Sequence, residues 1–229
     1  MLLLAVTGCI RVEQTIILNE DGSGTVKLAY AVTEQNAAML EAAMQNSEGA
    51  GAMPQSGSIM GFTEETVRMQ FKELEPYGVT LKEVNSETRD GWQHLEMAAA
   101  FESLKGLAQT PLLSDRAVSL TKTRNGNYKF RQKAGDEQPS MAAGAADNPQ
   151  MQQAIQEMMK GFRVQIRIQT PGEIIKSSAP EAAEREAIWT FDLEKDADAV
   201  QQVEKLDMWV IFEGKGLDLP ELGGHPTEE

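Results

Sequence analysis

Gly24-Thr25-Val26-Lys27-Leu28-Ala29-Tyr30-Ala31-Val32-Thr33 is the stretch whose reading decides the fold: Val26, Leu28, Tyr30 and Val32 alternate with Thr25, Lys27, Ala29 and Ala31. A period of two puts the first set on one face of a half-buried strand. Just upstream, Val12, Ile16 and Leu18 supply a partner strand, and Asn19-Glu20-Asp21-Gly22-Ser23-Gly24 supplies the turn, so residues 11–32 read as a β-hairpin. The acidic Asp-Gly step invites a calcium test. An EF-hand loop needs oxygen ligands at positions 1, 3 and 5, glycine at 6 and glutamate at 12. With Gly22 at position 6, position 1 is Ile17 and position 12 is Leu28, so the pattern fails and a tight turn is favoured over a metal site.

The same reading extends downstream. Thr33 is placed to cap a helix through about Asn46, with Met39, Leu40 and Met44 as its apolar stripe. Residues 47–61, rich in Gly, Ser and Ala and containing Pro54, read as a flexible loop. A second helix starts at a Thr63 cap, carries Val67, Phe71 and Leu74 on one face, and stops at Pro76 and Gly78. Strands are expected at about 79–87 and 92–101, joined by Arg89-Asp90-Gly91. Leu95, Met97, Ala99 and Phe101 face one way in the second strand, and His94 and Glu96 the other. Asn125-Gly126 signals a two-residue hairpin between Val118-Ser119-Leu120 and Tyr128-Lys129-Phe130. A second flexible loop covers about 134–147, and a third helix from Asn148 aligns Met151, Ile155, Met158, Met159 and Phe162. Strands then follow at Val164–Ile168, Glu173–Ser177 and Ile188–Leu193. A short helix near 195–206 and a buried strand from Met208 to Phe212 complete the pattern. The glycine-bearing stretch 214–229 reads as a loose acidic tail. The fold class is therefore α+β: a mainly antiparallel, curved sheet of hairpins with three or four helices packed on it.

Composition narrows the function. With 35 acidic against 21 basic residues, a net charge of −14 lacks the basic footprint that nucleic acid requires, and it disfavours electrostatic adhesion to anionic lipid. One cysteine cannot form an intramolecular disulfide or a multi-cysteine metal site, so the fold rests on packing. Past residue 8, no apolar run approaches the ~18 residues that suggest a membrane span.

That one cysteine directly follows a short apolar run. Leu2 to Val6 resemble the end of a signal h-region, and Val6-Thr7-Gly8-Cys9 resembles a bacterial lipobox, in which the Cys9 thiol takes a diacylglyceryl group and cleavage occurs just before it. Small residues at Thr7 and Gly8 give a peptidase access to the backbone. Residues 1–8 carry no Lys or Arg, which fits a remnant of a signal whose start lies upstream. The competing reading makes these residues the first half of a strand running into Ile10-Arg11-Val12, with Cys9 in the core.

Catalytic patterns are sparse. His94 falls on the polar face of a strand and His225 in the tail, too few for most histidine-based chemistry. The sequence contains no nucleophile elbow, dinucleotide fingerprint or Walker loop, and no cofactor or metal is expected. A carboxylate pair for cell-wall glycoside hydrolysis would have to come from Glu64-Glu65, Glu181-Glu184-Glu186 or Asp196-Asp198. These positions read as solvated turns and helix starts. The methionine-bearing helices offer a candidate apolar ligand surface made of Met39, Met44, Phe71, Met151, Ile155, Met158 and Met159, although such stripes more often form core.

Pro171-Gly172-Glu173-Ile174-Ile175 followed by Trp189, with Gly8-Cys9 and the Asp21-Gly22-Ser23-Gly24 turn, resembles the LppM-domain family of bacterial lipoproteins over roughly residues 9–213. In such proteins a Pro-Gly-x-hydrophobic strand near the end pairs with one carrying Trp. The resemblance implies an extracytoplasmic α+β domain held to the membrane of a bacterial envelope by an N-terminal lipid, with lipid or glycolipid binding and no catalytic residues. Many members continue into a C-terminal transmembrane helix, and no such run is present here. The expectation is a non-enzymatic envelope lipoprotein that binds an amphipathic ligand or an envelope protein. The alternatives are a closed-core interaction module and, behind it, a carboxylate-dependent hydrolase.

Overall fold

The computed structural model describes residues 10–34, 36–37, 63–113, 116–134, 161–196 and 198–223. The opening hairpin is β1 (Ile10–Leu18) and β2 (Gly24–Thr33), in register from Ile10 opposite Val32 to Leu18 opposite Gly24. Its turn closes as the alternation predicts. Asn19 N–H donates to the Ser23 carbonyl, Gly22 adopts φ 83°, and the Asp21 carboxylate accepts from the Ser23 N–H and hydroxyl at 2.9 and 2.6 Å. The acidic residue there shapes the turn, and those two hydrogen bonds hold its carboxyl below the ordinary value.

Helix α1 (Glu64–Lys72) begins where its cap was expected, with Thr66 N–H donating to Thr63 Oγ1 and Glu64 and Glu65 in the first turn. Its Val67 and Phe71 are buried. A 3-10 turn at Glu75–Tyr77 contains Pro76, and Gly78 at φ 71° leads the chain into β3 (Val79–Arg89). Asp90 and Gly91, both at positive φ, make the two-residue turn into β4 (Trp92–Phe101). A short helix α2 (Leu104–Ala108), capped by Ser103, precedes β5 (Arg116–Lys122) and β6 (Tyr128–Ala134). The turn between these strands is one residue longer than the Asn125-Gly126 pair suggests. Thr123 N–H bonds the Asn127 carbonyl, leaving residues 124–126 as the loop with Gly126 at φ 80°.

The remaining strands are β7 (Arg163–Gln169), β8 (Ile174–Ser177), β9 (Glu181–Ala183), β10 (Glu186–Asp192) and β11 (Asp207–Phe212), with helix α3 (Ala199–Glu204) before the last. They assemble into a seven-stranded sheet ordered β3-β4-β2-β1-β7-β10-β9 and a four-stranded sheet ordered β5-β6-β11-β8. Every pairing is antiparallel except β1 with β7. The α+β class with a mainly antiparallel sheet thus holds. One buried cluster joins Ile16, Val26, Leu95 and Ile166 of the first sheet to Leu120, Phe130, Val210 and Phe212 of the second.

Several expectations are corrected. The strand after Pro171-Gly172 pairs with β11, which carries Trp209, whereas Trp189 lies on β10 between β7 and β9. Glu181 and Glu186 lie on strands and Glu184 in the turn between them, none at a helix start. The tail is not loose through Gly223. Leu219 is buried, its N–H donating to the Tyr128 hydroxyl at 3.0 Å, Leu222 bridges Leu120, and Pro220 lies against Gly22. Of the helix expected over 33–46, Glu34, Asn36 and Ala37 are described and helical, and β2 runs through Thr33 itself. The loops 47–61 and 135–147 and the helix from Asn148 up to residue 160 lie outside the described residues.

Candidate functional site

An open cleft of about 920 Å³ lies at the end of the large sheet where β1 and β7 finish. The register puts Ile17 beside Gln169, Gln169 beside Glu186, and Glu186 beside Ala183, so one level of four neighbouring strands runs along it. Asn19 and Glu20 of the opening turn border it on one side. Thr170 and Pro171 border it at the crossover, and the β9–β10 hairpin from Pro180 to Glu186 on the other side.

Local hydrogen bonds explain why the chain stays there. Thr170 N–H donates to the Arg185 carbonyl, and its hydroxyl donates to the Gly172 carbonyl at 2.8 Å, which fixes the passage from β7 in one sheet to β8 in the other. A Cβ at Gly172 would run into the Glu213 carbonyl oxygen, so only glycine allows the crossover to pass so close to the chain leaving β11. Ile174 N–H reaches the Glu184 carbonyl at 2.6 Å and ties the hairpin turn to the second sheet. Glu184 adopts φ 47° to present that carbonyl.

Glu186 is the chemical centre of the cleft. Its Oε1 accepts from Gln169 Nε2 at 2.9 Å and from Arg167 Nη1 at 3.0 Å. The Gln169 bond first, and the Arg167 bond and charge with it, hold the carboxyl below its ordinary value against the opposing effect of burial. A general acid needs its pKa raised, so this carboxylate is prepared to stay ionised and accept hydrogen bonds, the opposite of proton donation. The apolar part of the lining comes from Ile17, Leu18, Pro171, Pro180 and Ile188.

Of the residues singled out from the sequence, Glu181, Glu184 and Glu186 line the cleft. Phe71 is enclosed in the core with Val67 and Leu74, so it offers no surface to a ligand. Met39 and Met44 lie in the stretch after β2, and Met151, Ile155, Met158 and Met159 lie in the stretch before β7, all outside the described residues. The same holds for Val6, Thr7, Gly8 and Cys9, which precede Ile10, and for His225. His94 is half-buried on β4, level with Ala31 and Glu87 and away from the cleft. Among the described residues, no group of three His, Cys, Asp or Glu side chains is placed to hold a metal ion.

Sequence reasoning missed the cluster of Arg167, Gln169 and Glu186. Alternation of Arg167 and Gln169 with buried Ile166 and Ile168 was a usable signal for a shared solvent face, but their meeting with Glu186 depends on the β7–β10 pairing.

No protein-family model matches the sequence, and no curated protein does. The fold is similar to the folded domain of the Mycobacterium tuberculosis LppM protein. That NMR structure shares 12% identity, with 95% of this chain and 99% of that one covered, at a TM-score of 0.42. At this distance the cleft has to be read from its own residues.

Proposed function

We propose that this chain is a non-enzymatic, lipid-anchored protein of a bacterial envelope, related to the LppM-domain lipoproteins, whose folded domain binds an amphipathic ligand or another envelope protein. The observation that carries the reading is Val6-Thr7-Gly8-Cys9 immediately before Ile10, the first residue of β1. A thiol preceded by small residues is what lipoprotein acylation and cleavage require, and acyl chains contribute about 0.8 kcal/mol per buried methylene to membrane attachment. Among the described residues no helix is long and apolar enough to cross a membrane.

A second reading, a closed interaction module without a lipid pocket, is favoured by the enclosure of Phe71 and by the ionised Glu186 in the cleft, which suits a polar partner better than an acyl chain. The experiment is expression with a bacterial lipoprotein signal supplied upstream, followed by mass spectrometry of envelope and soluble fractions. Acyl-Cys9 as the mature N-terminus in the envelope fraction, lost in Cys9→Ser, is expected. An unmodified chain in the soluble fraction would sink the proposal. Native mass spectrometry of the detergent-extracted protein separates the two binding readings, because a co-purifying lipid selects the first.

A further inference from the structure

We infer that the cleft binds an uncharged glycan chain, with Gln169 and Glu186 taking neighbouring hydroxyls of a sugar and Ile17 and Ile188 receiving its C–H faces. The inference rests on the ligand-binding half of the reading above, since a sugar ring is itself amphipathic, and it needs no lipid anchor. Ile17, Gln169, Glu186 and Ile188 all point to the side of the large sheet opposite the enclosed Ile16, Ile168 and Ala187. The cleft floor is therefore a stretch of sheet face, and its strands β1, β7 and β10 have neighbours on both sides. Their backbone donors and acceptors are used in pairing, so a ligand on this floor meets side chains alone. An extended peptide would need a free strand edge, and the edge at hand, β9, is three residues long.

Hydrogen-bonding capacity selects among the remaining ligands. Glu186 takes both of its bonds, from Gln169 and Arg167, at Oε1, so among the described residues Oε2 has no partner. Gln169 gives one Nε2 hydrogen to Glu186 and keeps the other, with its Oε1 also open. The two side chains lie level on strands about 4.8 Å apart, one offering an acceptor and the other a donor and an acceptor. A hydroxyl donates and accepts at once, so two hydroxyls on adjacent carbons satisfy both side chains. An anion only accepts, and it would meet Glu20, Glu181, Glu184 and Glu186 with Arg185 as the lining cation. An ammonium only donates, and it gains little: Arg167 already meets the Glu186 charge at 3.0 Å, while Glu20, Glu181 and Glu184 are exposed, where an ion pair in water is weak. From Ile17 to Ala183 the floor spans three strand spacings, about 14 Å, within about 920 Å³, which suits a run of sugar rings.

The test is affinity electrophoresis of the full chain carrying Cys9→Ser, which is not acylated, so failure here leaves the anchor standing and failure of the anchor leaves this assay intact. Native gels are cast with dextran, mannan, galactan or glycol chitin, each uncharged, and with dextran sulfate as the anionic counterpart. Retardation by at least one uncharged polysaccharide and none by dextran sulfate is expected. Calorimetry with a short oligosaccharide of the retarding polymer should then show Gln169→Leu weakening Kd by about tenfold. Gln165→Leu removes a neighbour on the same strand that bonds Thr190 and does not line the cleft, so its Kd should stay within about twofold of the parent. Ala183→Arg, at an exposed position level with Glu186, puts a guanidinium within reach of the open Oε2 and should abolish retardation, which keeps the site testable if Gln169→Leu fails to fold. Retardation by dextran sulfate, by none of the uncharged polymers, or equally in the parent and the folded Gln169 and Ala183 variants overturns the inference, as does an equal loss in Gln165→Leu.

Discussion

Among the described residues, Gln132 has no hydrogen-bond partner for either end of its amide although it is fully enclosed on β6. Met208 of β11 and Val118 of β5 lie level with it, so an apolar side chain would suit the site better. Leaving such a group unsatisfied costs about 1–3 kcal/mol, so Gln132→Leu should raise stability by about 1–2 kcal/mol, read as a higher urea midpoint at unchanged slope. A lower midpoint would mean that the amide has a partner in solution, such as a trapped water. At the opposite extreme, a Cβ on Gly24 would collide with the Ile17 carbonyl and the Phe101 ring, and Gly24→Ala should cost about 3 kcal/mol or more. Asp207 gives a pH signature. Arg131 donates to both of its oxygens, Nε at 2.7 Å and Nη2 at 2.6 Å, and those bonds first, then the guanidinium charge, hold the carboxyl below its ordinary value. A depressed folded pKa means that the pair stabilises the fold above the unfolded value near pH 4, and that this contribution fades as pH falls through the folded value. Both side chains are 41% exposed, so Asp207→Asn should cost at most about 1 kcal/mol at pH 7. The difference between the two proteins should shrink as pH falls below about 4 and on through the folded value, and a gap that did not shrink with falling pH would assign the loss to geometry instead of charge.

Among the elements, the hairpins were legible because their turns carry their own chemistry. Gly22, Gly91 and Gly126 all occupy positive φ, the one requirement that sequence can state without knowing the partner strand. The β9–β10 hairpin shows the limit. Glu181-Ala182-Ala183-Glu184-Arg185-Glu186 is made of good helix formers, yet it folds as two strands around a turn because Thr170 and Ile174 donate to the Arg185 and Glu184 carbonyls from another part of the chain. Propensity lost to tertiary hydrogen bonds, and half of the cleft depends on that outcome. The segment after β11 was misread for a related reason. Its glycines suggest looseness, but Leu219 enters the core and Pro220 lies against Gly22. Leu219→Ala should therefore cost about 2–4 kcal/mol, as for other buried leucines, whereas a free tail would leave the denaturation curve unmoved.

For the molecule as a whole, the sheet order could not be read from the chain, because local patterning specifies which face of a strand is buried and says nothing about which neighbour lies beside it. Val12 pairs in parallel with Val164, and Ile17, Gln169 and Glu186 become neighbours only through that pairing and the next. The candidate site is thus a product of topology, whereas the Val6-Thr7-Gly8-Cys9 pattern is local and can be seen in the sequence alone. The same topology predicts how the protein comes apart. Among the described residues, a single buried cluster contains Ile166 and Trp189 of the seven-stranded sheet and Phe130 and Val210 of the four-stranded one, while the crossover between sheets at Thr170–Gly172 is held by Thr170 hydrogen bonds to the Gly172 and Arg185 carbonyls. Neither sheet can expose its apolar face without stripping the other, so the two should open as one cooperative unit. In native-state hydrogen exchange, central amides such as Ile166 in β7 and Phe130 in β6 should converge on the same opening free energy as denaturant is raised. Amides of the three-residue edge strand β9 should exchange through smaller local openings, because β9 is paired on one side only. A four-stranded sheet that opened well below the global value would show that its contacts with the larger sheet contribute little, and Leu219→Ala would then lower the stability of that sheet alone.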